Sequence, residues 1–312
     1  MKISVVIATY NGENYITKQL TSLRTQKRKP DEVLIYDDHS TDSTAAEVRS
    51  YIAKHGLTGW NVIVNHTNKG WRRTFMEGLW ASSGEIVFTC DQDDIWRSDK
   101  LQIMEKLMQQ NNNIKLLASN YRKFLSVPGD NPRKSIGPLK NTKQLIKIPV
   151  TNNYLKVTCP GCTYCIRRSL ITLSKKYWRP GYAHDDLLWR LSLLGDGLYV
   201  YTDNLINWRK HPDSAYAKES SSLKTIAKKA DWIIMTAQFN NDMLTYLQED
   251  VATKSVRKLH ILHRNKKWLF LRTKFFKNRN FFTGLHLLSY INCYQRLRQY
   301  LGDWYLLFLK RR

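Results

Sequence analysis

Short apolar runs alternate with segments of helical spacing through the first third of the chain. Four of these runs have strand length and are rich in β-branched residues: Ile3–Ala8, Glu32–Tyr36, Asn61–Val64 and Glu85–Thr89. Their few polar positions indicate strands that are buried on both faces, as in a parallel sheet. The segments between them place apolar residues at helical spacing over residues 15–25, 43–54 and 71–81. This alternation predicts crossover units and a doubly wound α/β sheet.

The pattern loosens further along the chain. Residues 127–138 are rich in Pro, Gly and charged side chains and are predicted to form a loop. Three further elements are predicted from apolar spacing: strands at 163–167 and 197–201 and a helix at 185–194. From Ser222 onward the spacing is almost entirely helical. We therefore predict an α/β domain over residues 1–215 and a helical region over residues 216–312.

The formal net charge of +24 is distributed unevenly along the chain. Lys+Arg and Asp+Glu balance at 13 each in residues 1–100, whereas they number 22 and 12 in residues 101–253 and 15 and 1 in residues 254–312. A neutral first third argues against a protein that coats nucleic acid along its whole length. It also makes that third the natural place for site chemistry and leaves the basic C-terminal end to be explained separately.

The N-terminal segment and the cysteines bear on the cellular compartment. The apolar run after Met1 is too short for a signal-peptide core and meets no small-residue cleavage site, so we expect no export signal. No uninterrupted apolar window of about 18 residues occurs, so a membrane-spanning helix is not predicted. Five cysteines, an odd number, are typical of reduced cytosolic thiols. We expect a cytoplasmic protein.

Polar clusters follow three of the predicted strands. They are Thr9–Glu13 after the first strand, Asp37–Ser40 after the second and Asp91–Asp94 after the fourth. The carboxyl ends of parallel strands share one edge of a sheet, and ligands bind at that edge in such folds. Turns and helix caps are the commoner use of any single cluster, but they explain all three together less well. The convergence therefore predicts a ligand site.

Asp91, Asp93 and Asp94 pose the sharpest chemical question, because clustered carboxylates repel one another unless a cation or a proton compensates them. Mg²⁺ commonly takes one or two protein carboxylates and leaves its other positions to water and substrate phosphates. The D-x-D spacing after a buried strand thus favours a metal-bound diphosphate. The sequence has no dinucleotide-binding G-x-G-x-x-G, no P-loop and no G-x-S-x-G nucleophile elbow.

Five motifs resemble those of the family-2 glycosyltransferases and occur in the family's order: SVVIATYNGENYI, VLIYDDHSTDST, CDQDD, HDDLLWRL and INWRKH. They lie within residues 1–215 and are most similar to bacterial members that build surface polysaccharides and glycans, including rhamnosyltransferase-like ones. The resemblance implies the GT-A fold, an α/β doubly wound, mostly parallel sheet flanked by helices, here with a C-terminal helical extension. It also implies an inverting, metal-dependent transfer of a sugar from a UDP- or dTDP-sugar to a glycan acceptor, with Mg²⁺ or Mn²⁺ as cofactor.

The resemblance also assigns donor-binding roles to individual residues. Nucleotide-sugar binding falls to the positions that match the family's donor motifs: Thr9, Tyr10, Glu13, Asp38, Asp91, Asp93, Arg209 and His211. Asp38 would contact the base. The residues that would hold the metal ion are Asp93, Asp91 and His211. The family usually has Gly where this chain has His39.

The catalytic base is matched by Asp185, in the motif HDDLLWRL. A carboxylate can deprotonate the acceptor hydroxyl as it attacks the anomeric carbon, a contribution of about 10²- to 10⁴-fold in rate. Asp186 is the alternative. We favour Asp185, because adjacent residues at a helix start point in different directions and one of them can simply stabilise the positive end of the helix.

Two further motifs admit both a structural and a functional interpretation. Residues 159–165 repeat the C-x-x-C spacing, but three cysteines without a fourth ligand make an incomplete zinc site. Strand alternation would also turn Cys162 and Cys165 to opposite faces. Trp71–Arg73 begin the helix predicted after the third strand; these residues either approach the diphosphate or form a solvated basic helix start.

The C-terminal region interleaves cationic and aromatic residues from Lys254 onward. Its apolar positions are broadly compatible with amphipathic helices: Ile261, Leu262, Leu269, Leu271, Leu285, Leu287 and Leu288. Three partners compete for such a region: an anionic membrane surface, a second copy of the chain and, ranked last, nucleic acid. The first would suit a lipid-linked acceptor at the inner face of the cell membrane, and the second a protein-linked acceptor.

Two other functions remain open on the sequence alone. A non-catalytic membrane or assembly scaffold would keep the fold, although the intact acidic motifs argue against it. A nucleotidyltransferase that makes activated sugars is disfavoured, because no Gly/Arg/Lys-rich triphosphate loop occurs near the N-terminus.

Overall fold

The computed structural model of the chain describes residues 1–125, 139–210, 219, 223, 225–250 and 255–310. It divides into two compact units. The first unit comprises Met1–Ile148, Val157–Ser192 and Asp196–Lys210, and the second comprises Pro149–Lys156, Leu193–Gly195 and the described part of His211–Arg312. The predicted domain boundary at residue 215 falls outside the described residues and stays a prediction.

A nine-stranded sheet forms the centre of the first unit. Its strands are β1 (Ile3–Thr9), β2 (Glu32–Asp37), β3 (Trp60–Val64), β4 (Ile86–Asp91), β5 (Ile95–Trp96), β6 (Leu116–Leu125), β7 (Leu145–Lys147), β8 (Tyr164–Arg167) and β9 (Leu198–Lys210). They are ordered β3-β2-β1-β4-β8-β6-β9-β5, and β7 also pairs with β9.

Most strands of this sheet run in one direction. The ladders β3-β2, β2-β1, β1-β4 and β6-β9 are parallel, whereas β8, β5 and β7 run antiparallel to their neighbours. The β-branched runs fill the core, and Ile3, Val5 and Ile7 are fully buried. The mixed, mostly parallel sheet confirms the predicted fold class.

Helices of the described first unit flank the sheet: four lie where helical spacing predicted them, and two, at residues 100–110 and 168–177, were not predicted. They are α1 (Ile16–Arg24), α2 (Thr44–Lys54), α3 (Trp71–Ala81), α4 (Lys100–Gln110), α5 (Arg168–Tyr177) and α6 (His184–Leu194). In α1 the buried apolar side chains are Ile16, Leu20 and Leu23, the spacing of a single helix face packed on the sheet.

The predicted elements of the first unit are found with shifted ends. The strand predicted at 85–89 extends to Asp91, and the one predicted at 197–201 extends to Lys210. The strand predicted at 163–167 begins one residue later, because Gly161–Thr163 form a 3₁₀ turn after Pro160. The predicted loop at 127–138 lies outside the described residues.

The second unit is helical. It contains α7 (Ile226–Glu249), α8 (Val256–Asn278), α9 (Phe281–His286) and α10 (Leu297–Trp304), with a 3₁₀ segment at Leu287–Cys293 and a π-helical turn at Tyr305–Leu309. Fully buried side chains of α7 and α8 form its core, among them Ile233, Met243, Leu262 and Leu269. Within the described ranges, no helix has the length and apolar character needed to cross a bilayer.

A buried ion pair links α8 and α10. Arg272 donates from Nε and Nη2 to the two carboxylate oxygens of Asp303, at 2.7 and 2.8 Å. The Arg272 and Asp303 side chains are 0% and 1% exposed, and Trp232, Trp268 and Tyr294 surround the guanidinium at 5.1–5.5 Å. Removing one partner of such a pair would leave an uncompensated buried charge, which is strongly destabilising.

Candidate active site

The register of the parallel strands brings the predicted polar clusters to one edge of the sheet. Thr9 pairs with Asp37 across β1 and β2, and Ala8 pairs with Asp91 across β1 and β4. Gln92 then connects the ends of β1 and β4: its Oε1 accepts from Thr9 Oγ1 at 2.6 Å and from the Tyr10 backbone N–H at 2.8 Å. Gln92 was not predicted to have a role, although its place inside the D-x-D motif was a signal.

The Asp38 carboxylate holds the turn after β3. Its Oδ1 accepts from Asn65 Nδ2 at 2.8 Å and from the Lys69 backbone N–H at 2.9 Å, and its Oδ2 accepts from the Gly70 backbone N–H at 2.8 Å. Asp38 is 3% exposed. Three hydrogen bonds use most of the acceptor sites of a carboxylate, so Asp38 fixes the loop that leads into α3. The predicted contact of Asp38 with the base stays a prediction.

His39 occupies a backbone conformation that favours glycine. Its φ is +67°, in the left-handed region. The turn is held by Asp37, whose two carboxylate oxygens accept from the Ser40 backbone N–H at 2.8 Å and from Ser40 Oγ at 2.6 Å. This geometry explains why a Gly is usual there in the resembling family, and the chain keeps the turn with His in its place.

The loop after β1 is bonded to the loop that precedes α2. Glu13 Oε2 accepts from the Ser43 backbone N–H at 3.0 Å, and Asn11 Oδ1 accepts from the Thr41 backbone N–H at 2.9 Å. Tyr10, by contrast, is 46% exposed. The two loops therefore form a fixed rim, from which an exposed aromatic ring is available to a ligand.

The three aspartates at the end of β4 and just after it lie in different environments. Asp94 is buried, and its Oδ1 accepts from the Arg209 backbone N–H at 3.0 Å, while Arg209 Nε donates to the Asp93 carbonyl at 2.7 Å. Burial, followed by the charges of Asp93 and Asp185, raises the pKa of Asp91 to about 7. Burial, followed by the charges of Asp91 and Asp93, also raises the pKa of Asp94. β9 extends to Lys210, beyond the predicted end at residue 201, and its extra length brings Arg209 to this cluster.

The donor atoms at this cluster fit a hard divalent cation. Ligand atoms of Asp91, Asp94 and Cys162 lie within 4.8 Å of one another. Burial raises the pKa of the Cys162 thiol well above its ordinary value, so the sulfur stays protonated and is a poor ligand. A hard cation prefers carboxylate oxygens, and this group offers those of Asp91 and Asp94, while the assignment of Asp93 as a ligand stays a prediction. His211 lies outside the described residues.

Asp185 lies in the first turn of α6. Its Oδ1 accepts from the Asp186 backbone N–H at 2.8 Å, whereas the Asp186 carboxylate pairs with Arg190 at 2.7 Å. Burial and the charge of Asp186 raise the pKa of Asp185 to about 7. Because the charge of Asp185 in turn raises the pKa of Asp91, the two carboxylates share one electrostatic environment.

Gly161 lies directly under the start of α6. A Cβ added to it would be 2.4 Å from His184 Nε2 and 3.1 Å from Asp185 Cβ. The turn is held from below, since Thr89 Oγ1 donates to the Gly161 carbonyl at 2.5 Å. His184 is 3% exposed and packs on Phe75, with ring centroids 4.1 Å apart. No role was assigned to His184 from the sequence, whereas the resemblance to the family places a similar Gly-Cys segment under the acceptor site.

The cysteine motif is structural in the described residues. Cys159, Cys162 and Cys165 are buried, and no metal-type cluster among the described side chains contains two of them. The expected alternation of Cys162 and Cys165 along a strand was wrong, because Cys162 lies in the 3₁₀ turn. Lys100 Nζ supports this turn by donating to the Cys162 carbonyl at 3.2 Å.

The start of α3 combines the two interpretations that the sequence left open. Arg73 is 58% exposed and pairs with Glu77 at 2.7 Å, as a solvated helix start would. Arg72 instead acts electrostatically on the site, because its positive charge favours the ionised form of Asp185. Burial, followed by the charge of Arg72, lowers the pKa of His184 to about 3. Trp71 meets the His184 ring edge-on, with centroids 5.9 Å apart.

Comparison with known proteins identifies similar sequences. A family model described as "Glycosyl transferase family 2" matches residues 4–173. An uncharacterized glycosyltransferase of Nostoc sp. is 24% identical over 253 residues, which cover 78% of this chain and 76% of that protein. The poly(ribitol-phosphate) β-N-acetylglucosaminyltransferase TarS of Staphylococcus aureus is 27% identical over 241 residues, 69% of this chain and 38% of TarS.

Solved structures share the fold. The crystal structure of S. aureus TarS 1–349 in complex with UDP-GlcNAc matches with a TM-score of 0.64 at 20% identity, and covers 93% of this chain and 80% of that one. The mannosyltransferase PcManGT of Pyrobaculum calidifontis, in complex with GDP-Man and Mn²⁺, matches with a TM-score of 0.52 at 17% identity, covering 99% and 88%. At these identities the matches establish the architecture alone.

Proposed function

The chain belongs to glycosyl transferase family 2, and on that premise we propose that it transfers one sugar from a nucleoside-diphosphate donor to a glycan acceptor with inversion at the anomeric carbon. The observation that carries this proposal is the pair Asp91 and Asp185, two carboxylates at the carboxyl edge of the sheet whose pKa values are both raised to about 7. Titratable groups perturbed in this way are typical of functional sites.

The proposed donor is a UDP-sugar, with a dTDP-sugar as the alternative. The TarS structure holds UDP-GlcNAc and the PcManGT structure holds GDP-Man with Mn²⁺, so donors of this class and a divalent ion are compatible with the fold. In this chain Asp91 and Asp93 would hold Mg²⁺ or Mn²⁺, with His211 as a third ligand. The side chains proposed to surround the nucleoside are those of Thr9, Tyr10, Glu13 and Asp38. Tyr10 would offer its exposed ring, and the hydrogen bonds of the other three hold the neighbouring loops in place.

Asp185 is the proposed general base. The acceptor oxygen attacks the anomeric carbon, Asp185 takes the hydroxyl proton, and the bond to the diphosphate oxygen breaks with its electron pair leaving on the diphosphate. A divalent ion at Asp91 and Asp93 would supply neutralisation of the charge that develops on that leaving group. The Arg209 guanidinium, 4.5 Å from the Phe124 ring centroid and 5.0 Å from that of Tyr15, is held where it can add to this neutralisation.

The ion pair of Asp186 supports the choice between the two adjacent aspartates. Asp186 is engaged with Arg190 at 2.7 Å, whereas Asp185 lies over Gly161 and interacts electrostatically with Asp91. Asp186 therefore serves the helix start, and Asp185 faces the cluster that would hold the donor.

A panel of nucleotide-sugars with and without divalent metal tests the proposal. We expect donor hydrolysis or transfer with one donor class, dependent on Mg²⁺ or Mn²⁺. Asp185→Asn should lower transfer by about 10²- to 10⁴-fold, and Asp93→Asn should abolish the response to added metal. Asp186→Asn is the matched control and should retain most activity. Turnover that survives in Asp185→Asn would refute the base assignment, and no turnover with any donor would favour the scaffold alternative.

The proposed acceptor is a bacterial surface glycan, either lipid-linked or protein-linked. The poly(ribitol-phosphate) named for TarS supports an acceptor of the cell-surface class. A lipid-linked acceptor would place the reaction at the inner face of the cell membrane, whereas a protein-linked one would leave it in the cytoplasm.

A further inference from the structure

A row of exposed apolar side chains runs along α10 and the π-helical turn that follows it. Leu297, Leu301, Tyr305 and Phe308 are 61%, 56%, 53% and 47% exposed. Their spacing of four, four and three residues puts them on the same side of a helix. Large apolar side chains in such a continuous row are unusual on a protein surface and mark an interaction site.

A second row adjoins the first. It consists of side chains of α9 and the following 3₁₀ segment that are also exposed: Phe281, Phe282, Leu285 and Leu288. The helices that carry the two rows are packed together, because Tyr300 Oη donates to the Gly284 carbonyl at 3.1 Å and the Phe281 ring contacts Trp304 with centroids 5.3 Å apart. We call the two rows together the C-terminal apolar face.

This face differs from the one that the sequence pattern indicated. Three predicted apolar positions of α8, Ile261, Leu262 and Leu269, are buried inside the helical unit, whereas Phe270 on the same helix is 58% exposed. The predicted apolar side of the basic helix α8 is therefore largely used in packing. Among the predicted apolar positions, Leu285 and Leu288 are exposed, at 42% and 48%.

The charge around the face has one sign. Residues 254–312 contain a single acidic side chain, that of Asp303, and it is buried in the ion pair with Arg272. Exposed cations lie on the same helices or next to them: Lys277, Arg279, Arg296 and Arg298. The described surface of this segment therefore combines apolar side chains with positive charge and exposes no carboxylate.

We propose that the C-terminal apolar face docks on an anionic lipid bilayer surface. A bilayer supplies both complements at once: an apolar interior for the leucine and phenylalanine side chains and anionic headgroups for the flanking cations. A second copy of the chain would match the apolar side chains but would oppose cations to cations, which is costly at an interface. Nucleic acid would match the charges but would leave the two apolar rows in contact with phosphates.

This docking goes beyond the sugar transfer and does not depend on it; only the choice of a lipid-linked acceptor, which docking would favour, rests on the proposed function. Flotation of the full chain with phosphatidylcholine vesicles, with and without about one-third phosphatidylglycerol, tests it. We expect flotation only with the anionic vesicles and a decline as salt is added, because screening weakens the headgroup attraction.

Variants locate the binding surface. Leu297→Ser and Leu301→Ser should each lower partitioning by about tenfold. Ile234→Ser on α7 is the matched control, because Ile234 is 57% exposed and Leu301 56%, and it should float as the parent does. Arg298→Gln should weaken binding by about fivefold. The leucine variants should still turn over donor in solution, so loss of docking and failure of the proposed transfer are separate results.

Three results would overturn docking. One is a lack of flotation with anionic vesicles, or equal flotation with neutral ones. A second is an Ile234→Ser loss as large as that of Leu301→Ser. The third is a dimer, measured by light scattering, that Leu301→Ser dissociates, because a second copy would then cover the face.

Discussion

Replacing Gly161 with alanine tests whether the turn beneath α6 sets the position of Asp185. The added methyl carbon would lie 2.4 Å from His184 Nε2 and 3.1 Å from Asp185 Cβ. Carbon atoms in favourable contact are about 3.5–4.0 Å apart, so the imidazole would have to move by roughly 1 Å. His184 has little room to do so alone, since it is 3% exposed and stacks on Phe75. The first turn of α6, with Asp185, should therefore move with it.

Gly161→Ala should lower the rate of transfer strongly and the free energy of unfolding only moderately. A misplacement of about 1 Å at a reacting group can cost roughly 10²-fold in rate. Overpacking a filled site by one methyl group typically costs about 1–3 kcal/mol of unfolding free energy. Gly161→Ala should thus fold and bind donor, with transfer lowered by about two orders of magnitude.

The assay compares kcat/KM for transfer with unfolding in denaturant. Gly284→Ala is the matched control: its Cβ would lie 2.4 Å from Trp304 Cζ2 and 2.6 Å from Phe275 Cε2, an equally tight fit in the helical unit. It should lose similar stability and keep the parent kcat/KM. A parent rate of sugar transfer in Gly161→Ala, or an equal loss of rate in both variants, would show that this turn does not set the position of Asp185.

Three more predictions concern single carboxylates. Transfer should rise between pH 6 and 8 because Asp185, whose pKa is raised to about 7 by burial and by the charge of Asp186, must lose its proton to act as a base; Asp186→Asn should move the midpoint of the pH–rate profile downward. Asp303→Asn leaves the buried Arg272 charge without a counter-charge and should lower the unfolding free energy by about 3–5 kcal/mol in denaturant titrations. Asp38→Asn presents an amide group to backbone N–H donors and should lower the thermal midpoint, with a cost of about 1–3 kcal/mol.

The parallel half of the sheet could be predicted because its signals are local. Val5, Val6 and Ile7 form a continuous buried run, which is the local pattern of a parallel strand covered on both faces. Once β1, β2 and β4 pair in parallel, their carboxyl ends must meet. The nearness of Thr9, Asp37 and Asp91 thus follows from the sequence pattern.

The C-terminal region could not be resolved in the same way, because its helices share one composition. Ile261 on α8 and Leu301 on α10 are both large aliphatic residues in helices that also carry cations, yet the first is 6% exposed and the second 56%. The packing of α8 against α7 decides the difference, and it depends on contacts such as Asn240 Nδ2 with the Leu262 carbonyl at 3.3 Å. Helical periodicity shows that a face exists but does not say what covers it.

The roles of the single aspartates in the acidic motif could not be predicted from the sequence either. The sequence places Asp91, Asp93 and Asp94 within four positions, and nothing in that spacing separates a ligand from a structural carboxylate. In the structure Asp94 differs from the other two through β9, whose Arg209 backbone N–H reaches it at 3.0 Å from 115 residues further along the chain. One carboxylate oxygen of Asp94 is thereby used in holding β9 to the β4 edge. A cation site at this edge should therefore depend on the fold of the late INWRKH segment as much as on the D-x-D residues themselves.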